Sequence, residues 1–215
     1  NRITKVNNDI CDNFCALLGC GLSTGLSVVN NEASVKFGES VLVLGCGGVG
    51  LNCIFASKLS HAIPVVGVDI SIYKQQLTVK NGGEFYHIDS LNELFNKYKK
   101  FDCIIDTTGN LDLVSKCIPH LSEQGRCIFV SQPKQNCSLV ITNPINFFST
   151  KGLSFKTTQA GGFDPDVDIP KYIKLYLNKV INVDNIITDF YSLENINEAV
   201  AKLMSGTSGR ILIKI

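Results

Sequence analysis

The chain has 215 residues, enough for one large domain or for one domain and part of a second. Apolar residues make up 45% and charged residues 18%, so a sizeable core can be buried and the composition is not that of a disordered chain. The formal net charge is +1, with no basic stripe to engage nucleic acid, no acidic tract, and no apolar run long enough to span a membrane.

The amino-terminal stretch Asn1-Arg2-Ile3-Thr4-Lys5 lacks the apolar core of a signal peptide, and it has no initiating Met, from which we expect further chain upstream. The cysteines lie at positions 11, 15, 20, 46, 53, 103, 117, 127 and 137, mostly within apolar segments and never as a C-x-x-C pair. That pattern predicts reduced, buried thiols and a cytoplasmic protein rather than a disulfide framework.

From residue 41 the hydrophobic period alternates between strand and helix. Val41 to Leu44 is an all-apolar run, as expected of a strand buried on both faces. Residues 48–60 carry a helical pattern through Val49, Leu51, Ile54, Phe55 and Leu59. Pro64 to Asp69 reads as the second strand, followed by a helix ending near Asn81-Gly82-Gly83, and Glu84 to Ile88 as the third strand. Ser90-Leu91-Asn92-Glu93 reads as a capping box opening another helix. Strands are predicted over 102–106, 125–130 and 153–158, with a helix over 111–121. This alternation implies an α/β fold, a doubly wound parallel sheet of the Rossmann type with right-handed crossovers.

After Ala160-Gly161-Gly162 the rhythm changes. Helices are predicted over 168–180 and 193–205, and strands over 186–191 and 210–215. The last strand has no obvious partner in the parallel sheet and is expected to pair with a second domain. The organisation read from the sequence is an inter-domain connection over 1–22, a nucleotide-binding domain over 23–160, and a return to an incomplete catalytic domain over 161–215.

Gly45-Cys46-Gly47-Gly48-Val49-Gly50 is a G-x-G-x-x-G sequence lying between a predicted strand and helix. Its first glycine allows a tight turn, its second lets backbone approach a pyrophosphate, and Gly50 lets the helix pack on the strand. The amides of Gly48 and Val49 open the helix, whose dipole end favours phosphate. The pattern gains weight from Asp69, nineteen residues beyond Gly50 at a strand end, where a carboxylate can accept both adenosine ribose hydroxyls. An acid there repels a 2′-phosphate, which favours NAD over NADP. S-adenosylmethionine is the competing ligand, because its methyltransferases combine a glycine turn with an acid after the second strand.

The run Leu17-Leu18-Gly19-Cys20-Gly21-Leu22-Ser23-Thr24-Gly25 resembles the segment joining the two domains of zinc-dependent, medium-chain alcohol dehydrogenases. The resemblance continues through the glycine loop, Gly67-Val68-Asp69-Ile70, Ile105-Asp106-Thr107-Thr108-Gly109-Asn110 and Met204-Ser205-Gly206-Thr207-Ser208-Gly209-Arg210. It implies an NAD-dependent oxidation of an alcohol to an aldehyde or ketone, with a catalytic zinc whose other ligands, a Cys and a His, lie in an upstream domain. Position by position, Cys20 matches a zinc ligand and Thr24 a residue against the nicotinamide. Lys74 matches the cation near the adenosine ribose. Thr107, Thr108, Gly109, Val130 and Gln159 match cofactor-binding positions, the last two on the wall holding the carboxamide, and Arg210 matches a pyrophosphate-binding arginine.

Read without the resemblance, Cys20 is a buried thiol and Lys74 a solvated helix lysine. His61, His87 and His120 match no catalytic or proton-relay position. The resemblance further implies a small-molecule alcohol or aldehyde substrate, a homodimer formed through residues 139–155, and a chain that binds NAD but does not turn over by itself. Two other readings stay open: a stand-alone NAD-binding module without catalysis, and a zinc-free reductase of the same broad class.

Overall fold

In the computed structural model, residues 3–133, 135–141 and 143–215 are described. Asn1, Arg2 and Thr142, which belong to segments read above, therefore lie outside the described residues. Six parallel strands form the main sheet: β1 (Val41–Leu44), β2 (Val65–Asp69), β3 (Glu84–His87), β4 (Phe101–Asp106), β5 (Leu121–Phe129) and β6 (Ser154–Thr157), in the order β3-β2-β1-β4-β5-β6. The chain builds outward from β1 to β3, then returns to lay β4 against the other side of β1. At that reversal the loops leaving β1 and β4 diverge and open a crevice at the carboxyl ends of the strands.

Strand pleating divides the core in two. Val41 and Val43 face one layer with Cys103, Ile105 and Ile128, while Leu42 and Leu44 face the other with Val66, Val68 and Ile104. The first layer is covered by α2 (Gly21–Ser27), which runs on as a wider turn over Val28–Glu32, and by α3 (Gly48–Leu59). Helix α1 (Asp12–Leu18) and helix α7 (Pro165–Leu177) complete it, with Phe14 stacked on Tyr176 at 4.1 Å between centroids. The second layer is covered by α5 (Leu91–Lys97) and α6 (Leu111–Cys117), while α4 (Lys74–Lys80) leads from β2 to β3. The layers are the doubly wound arrangement expected, and residues beyond 160 contribute Ile169, Tyr172, Ile181 and Val183 to the first of them.

Several local expectations are corrected. Ser90 makes no side-chain cap bond, because its ψ of 19° is not the extended conformation an N-cap requires. Helix α5 is entered instead through a tight turn over Ile88–Ser90, where the Asp89 amide donates to His87 Nδ1 at 3.3 Å. Helix α7 starts three residues earlier than its periodicity indicates, since Asp164 caps it by accepting from the Asp166 amide (3.1 Å) and Pro165 occupies the first turn. Strand β5 begins at Leu121, but its ladder with β4 slips between Phe101 and Cys103, and regular pairing starts at Arg126.

The last strand, β8 (Arg210–Lys214), finds a partner inside the chain. It pairs in parallel with β7 (Ile187–Ser192), and α8 (Ile196–Met204) makes the crossover. No single helix among the described residues is long and apolar enough to cross a membrane. All nine cysteines are free; Cys46, Cys53, Cys103, Cys117 and Cys127 are buried as expected, whereas Cys11, Cys20 and Cys137 are exposed. The reading of Cys20 as a buried thiol is thereby corrected.

Candidate functional site

The turn after β1 is built by contacts that only glycine permits. Gly45 has φ +90°, and a Cβ there would lie 2.6 Å from Thr107 Oγ1. Gly50 rests against the Gly45 carbonyl, so that any side chain at 50 would overlap backbone. Thr107 fastens the same turn from β4, its hydroxyl reaching the carbonyls of Leu44 (2.9 Å) and Gly45 (3.2 Å). Buried Asp106 shapes the next turn by accepting from the Thr108 amide (2.9 Å), the Thr108 hydroxyl (2.6 Å) and the Gly109 amide (3.2 Å).

Asp69, at the end of β2, accepts from the Cys46 amide at 2.7 Å and from the Ser71 amide at 2.8 Å. One oxygen serves each amide, and a carboxylate has about four lone-pair positions, so both oxygens keep capacity for a further donor. The bond to Cys46 also couples the carboxylate to the glycine turn. The Cys46 thiol is buried, and burial pushes its pKa up to about 12, so it stays a neutral packing group rather than a nucleophile.

Arg210, the first residue of β8, extends its guanidinium over Gly21 and Gly48, which have no Cβ to obstruct it. Its Nε is buried without a hydrogen-bond partner. An unmatched donor of a charged group costs more than a neutral one, and here it sits beside the amino end of α3, where an anion would satisfy it. Over Gly47 there is open space.

These groups share a cleft of about 1490 Å³ across the carboxyl ends of β1, β2 and β4. Gly45, Gly47, Gly48, Val49, Asp69, Lys74, Thr107, Thr108, Gly109 and Arg210, ten residues singled out from the sequence, all line it. Gly50 lies beneath the loop. Lys74 is not the solvated helix lysine of the simplest reading: it is 6% exposed, and its ammonium donates to the Ser208 carbonyl.

Val130 and Gln159 line a neighbouring cleft of about 680 Å³ with Phe129, Leu139, Thr157 and Thr158. Val130 lies just beyond β5, its amide donating to Asp106 O (2.9 Å), and the Thr158 amide donates to Phe129 O (2.9 Å). The Thr158 hydroxyl donates to Glu32 Oε1 at 2.9 Å, and Lys156 pairs with the same carboxylate. The Lys156 hydrogen bond holds Glu32 below the usual carboxylate range despite its burial, with help from Thr158.

Cys20 and Thr24 line neither cleft. Cys20 immediately precedes α2 with its side chain exposed, next to the Gly21 on which Arg210 rests; Thr24, one turn on, is buried. Among the described residues no group of three His, Cys, Asp or Glu side chains is placed to hold a metal. Cys20 is thus a single donor, and a zinc site needs three protein ligands. Sequence reasoning missed Ser71 and the 205–206 turn, which line the main cleft together and are joined by a bond from Ser71 Oγ to Gly206 O (3.1 Å). The only signal was the Ser/Gly-rich run immediately before Arg210.

No protein-family model matches the chain. It is 27% identical over 221 residues to alcohol dehydrogenase 2 of Oryza sativa subsp. japonica and 28% identical to alcohol dehydrogenase 2 of Zea mays, in each case over 99% of the chain. Among solved structures, an alcohol dehydrogenase zinc-binding domain protein from Burkholderia ambifaria superposes with a TM-score of 0.89 at 25% identity over 98% of the chain. The chain spans 58% of the length of each of these three relatives.

Proposed function

We propose that this chain, which along its whole length resembles the carboxyl-terminal half of zinc-type alcohol dehydrogenases, binds NAD for the oxidation of an alcohol or the reduction of an aldehyde. The observation that carries the reading is the buried, unpartnered Nε of Arg210 held over Gly48 beside the open space above Gly47. A pyrophosphate satisfies that donor and the free amides of α3 together. Asp69 then takes the adenosine ribose through the lone pairs its two amide bonds leave free. The ring end of the dinucleotide belongs in the smaller cleft, against Val130, Thr158 and Gln159.

The chemistry NAD supplies is exchange of a hydride with the carbinol carbon. The chain's own part is to bind and orient it: glycine backbone for the phosphates, Asp69 for the ribose, the β5 and β6 ends for the carboxamide. Cys20 would supply one sulfur donor to a zinc ion, which needs two further protein ligands. In the same reading a second copy pairs along β6, one of the two edge strands of the sheet, where Phe147, Phe148 and Phe155 cluster with centroids 5.4–5.9 Å apart. The substrate is a small alcohol or aldehyde and the compartment cytoplasmic.

Asp69→Asn tests the ribose assignment. Removing the charge should weaken NADH binding about tenfold and bring NADPH closer to NADH, as read by nicotinamide fluorescence. An unchanged preference between the two cofactors would remove Asp69 from the site.

A further inference from the structure

Ser71 lies on the turn that follows Asp69 and Lys74 opens α4, and both side chains reach the segment that precedes Arg210. Lys74 Nζ donates to the Ser208 carbonyl and Ser71 Oγ to the Gly206 carbonyl at 3.1 Å. Below them the Gly209 amide donates to Thr188 Oγ1 (2.9 Å) and the Arg210 amide to Ile186 O (2.7 Å). The segment 206–210 is therefore held from both sides, by the β2–α4 turn on one and by the start of β7 on the other. Arg210 emerges from this clamp directly over Gly48 and Gly21.

We infer that Lys74 is a positioning residue, whose ammonium holds the turn before Arg210 so that the guanidinium stays over the glycine loop. This rests on the reading of the main cleft as a pyrophosphate site, and it departs from the ribose contact that the resemblance implies for the same lysine. Two observations favour the departure. Lys74 is 6% exposed, and a carbonyl already receives its ammonium. The arginine it would serve has no hydrogen-bond partner at Nε. Asp69 and Cys46 are the groups facing Lys74 from its own side; burial lowers its pKa while the Asp69 charge opposes that fall. A charge-assisted bond to a carbonyl is stronger than a neutral one, so moving this ammonium to a ligand would first cost the hold on Ser208.

The experiment compares adenosine, which has the ribose and no phosphate, with ADP-ribose, which adds the pyrophosphate. Both are titrated, by ligand NMR and by calorimetry, against the unsubstituted chain, Lys74→Met, Arg210→Met and the double variant. Lys74→Met should weaken ADP-ribose about tenfold, the loss expected for a misplaced charge-assisted contact. It should leave adenosine unchanged, and in the double variant it should add nothing to the loss from Arg210→Met. Equal weakening of adenosine would return Lys74 to the ribose; no weakening of either ligand, or additive losses, would end its positioning role. Should Lys74→Met fail to fold, Ser71→Ala decides in its place: selective weakening of ADP-ribose supports the clamp, and any other pattern overturns it. Failure of the unsubstituted chain to bind ADP-ribose would strike down the pyrophosphate site itself, and the role of Lys74 with it.

Discussion

Gly50 touches the Gly45 carbonyl so closely that even a methyl group cannot enter without moving α3 off β1. Gly50→Ala should therefore cost about 2 kcal/mol, as overpacking against backbone does, read as a lower denaturant midpoint. It should also weaken NADH binding, because the loop displaced is the one that receives the phosphates. Unchanged stability would mean that the loop yields freely and that its shape is not set by this contact. The glycine spacing announced this steric requirement in advance, since a Cβ at 45 would meet Thr107 and Thr108 and one at 50 would meet the Gly45 carbonyl. Asp69 was legible for a similar reason, its distance from the loop. The bond from Lys74 to Ser208 was not, because the two lie 134 residues apart and nothing local marks the pairing.

Among the elements, the buried strands were the easiest to read. Val41 to Leu44 and Phe101 to Asp106 are covered on both faces, so their sequences are nearly unbroken apolar runs. Helix entry was harder, for it depends on one dihedral: Ser90 has the capping side chain but not the backbone to use it. A network no motif reports joins the amino ends of β1 and β4 to the middle of β5. Arg126 meets Glu39 with two bonds, at 3.1 and 2.5 Å, and also donates to the carbonyls of Ala33 and Asp102. Asp102 in turn accepts from the Ser40 amide and hydroxyl at 2.8 and 2.7 Å. Burial opposes ionisation of Glu39, but the Arg126 bonds and the Lys36 amide outweigh it and hold the carboxyl below its usual range.

A carboxyl held low in the folded state stabilises the fold above its ordinary pKa, and that stability is lost as pH falls through the folded value. Glu39→Gln should accordingly cost about 2 kcal/mol near pH 7, where it strands a half-buried guanidinium. The difference from the unsubstituted chain should shrink toward about pH 3, because the unfolded chain protonates this carboxyl at its ordinary pKa of about 4 and the folded chain only below that. Urea midpoints at the two pH values measure this. A difference that stays constant with pH would show that the ion pair does not link the strand ends.

At the scale of the whole molecule, the strand order places two diverging loops at one end of the sheet, and the carboxyl-terminal segment closes the resulting cleft with Arg210. The β-α alternation sufficed to foresee the sheet. It did not show that β8 pairs with β7, because a short parallel pair joined by one helix looks, in sequence, like strands awaiting another domain. Nor did it show that α7 packs into the same core as α2, where Tyr172 and Ser27 meet at 2.7 Å between hydroxyl oxygens. Both are long-range contacts, and periodicity reports only which face of an element is apolar.

The central claim is that the cleft is a dinucleotide site, and titration of the purified chain with NADH, NADPH and S-adenosylmethionine tests it most directly. The account predicts saturable binding of NADH, binding of NADPH weaker by about tenfold or more because its 2′-phosphate meets Asp69, and none of S-adenosylmethionine. Binding of S-adenosylmethionine without NADH, or no binding of either dinucleotide, would contradict it.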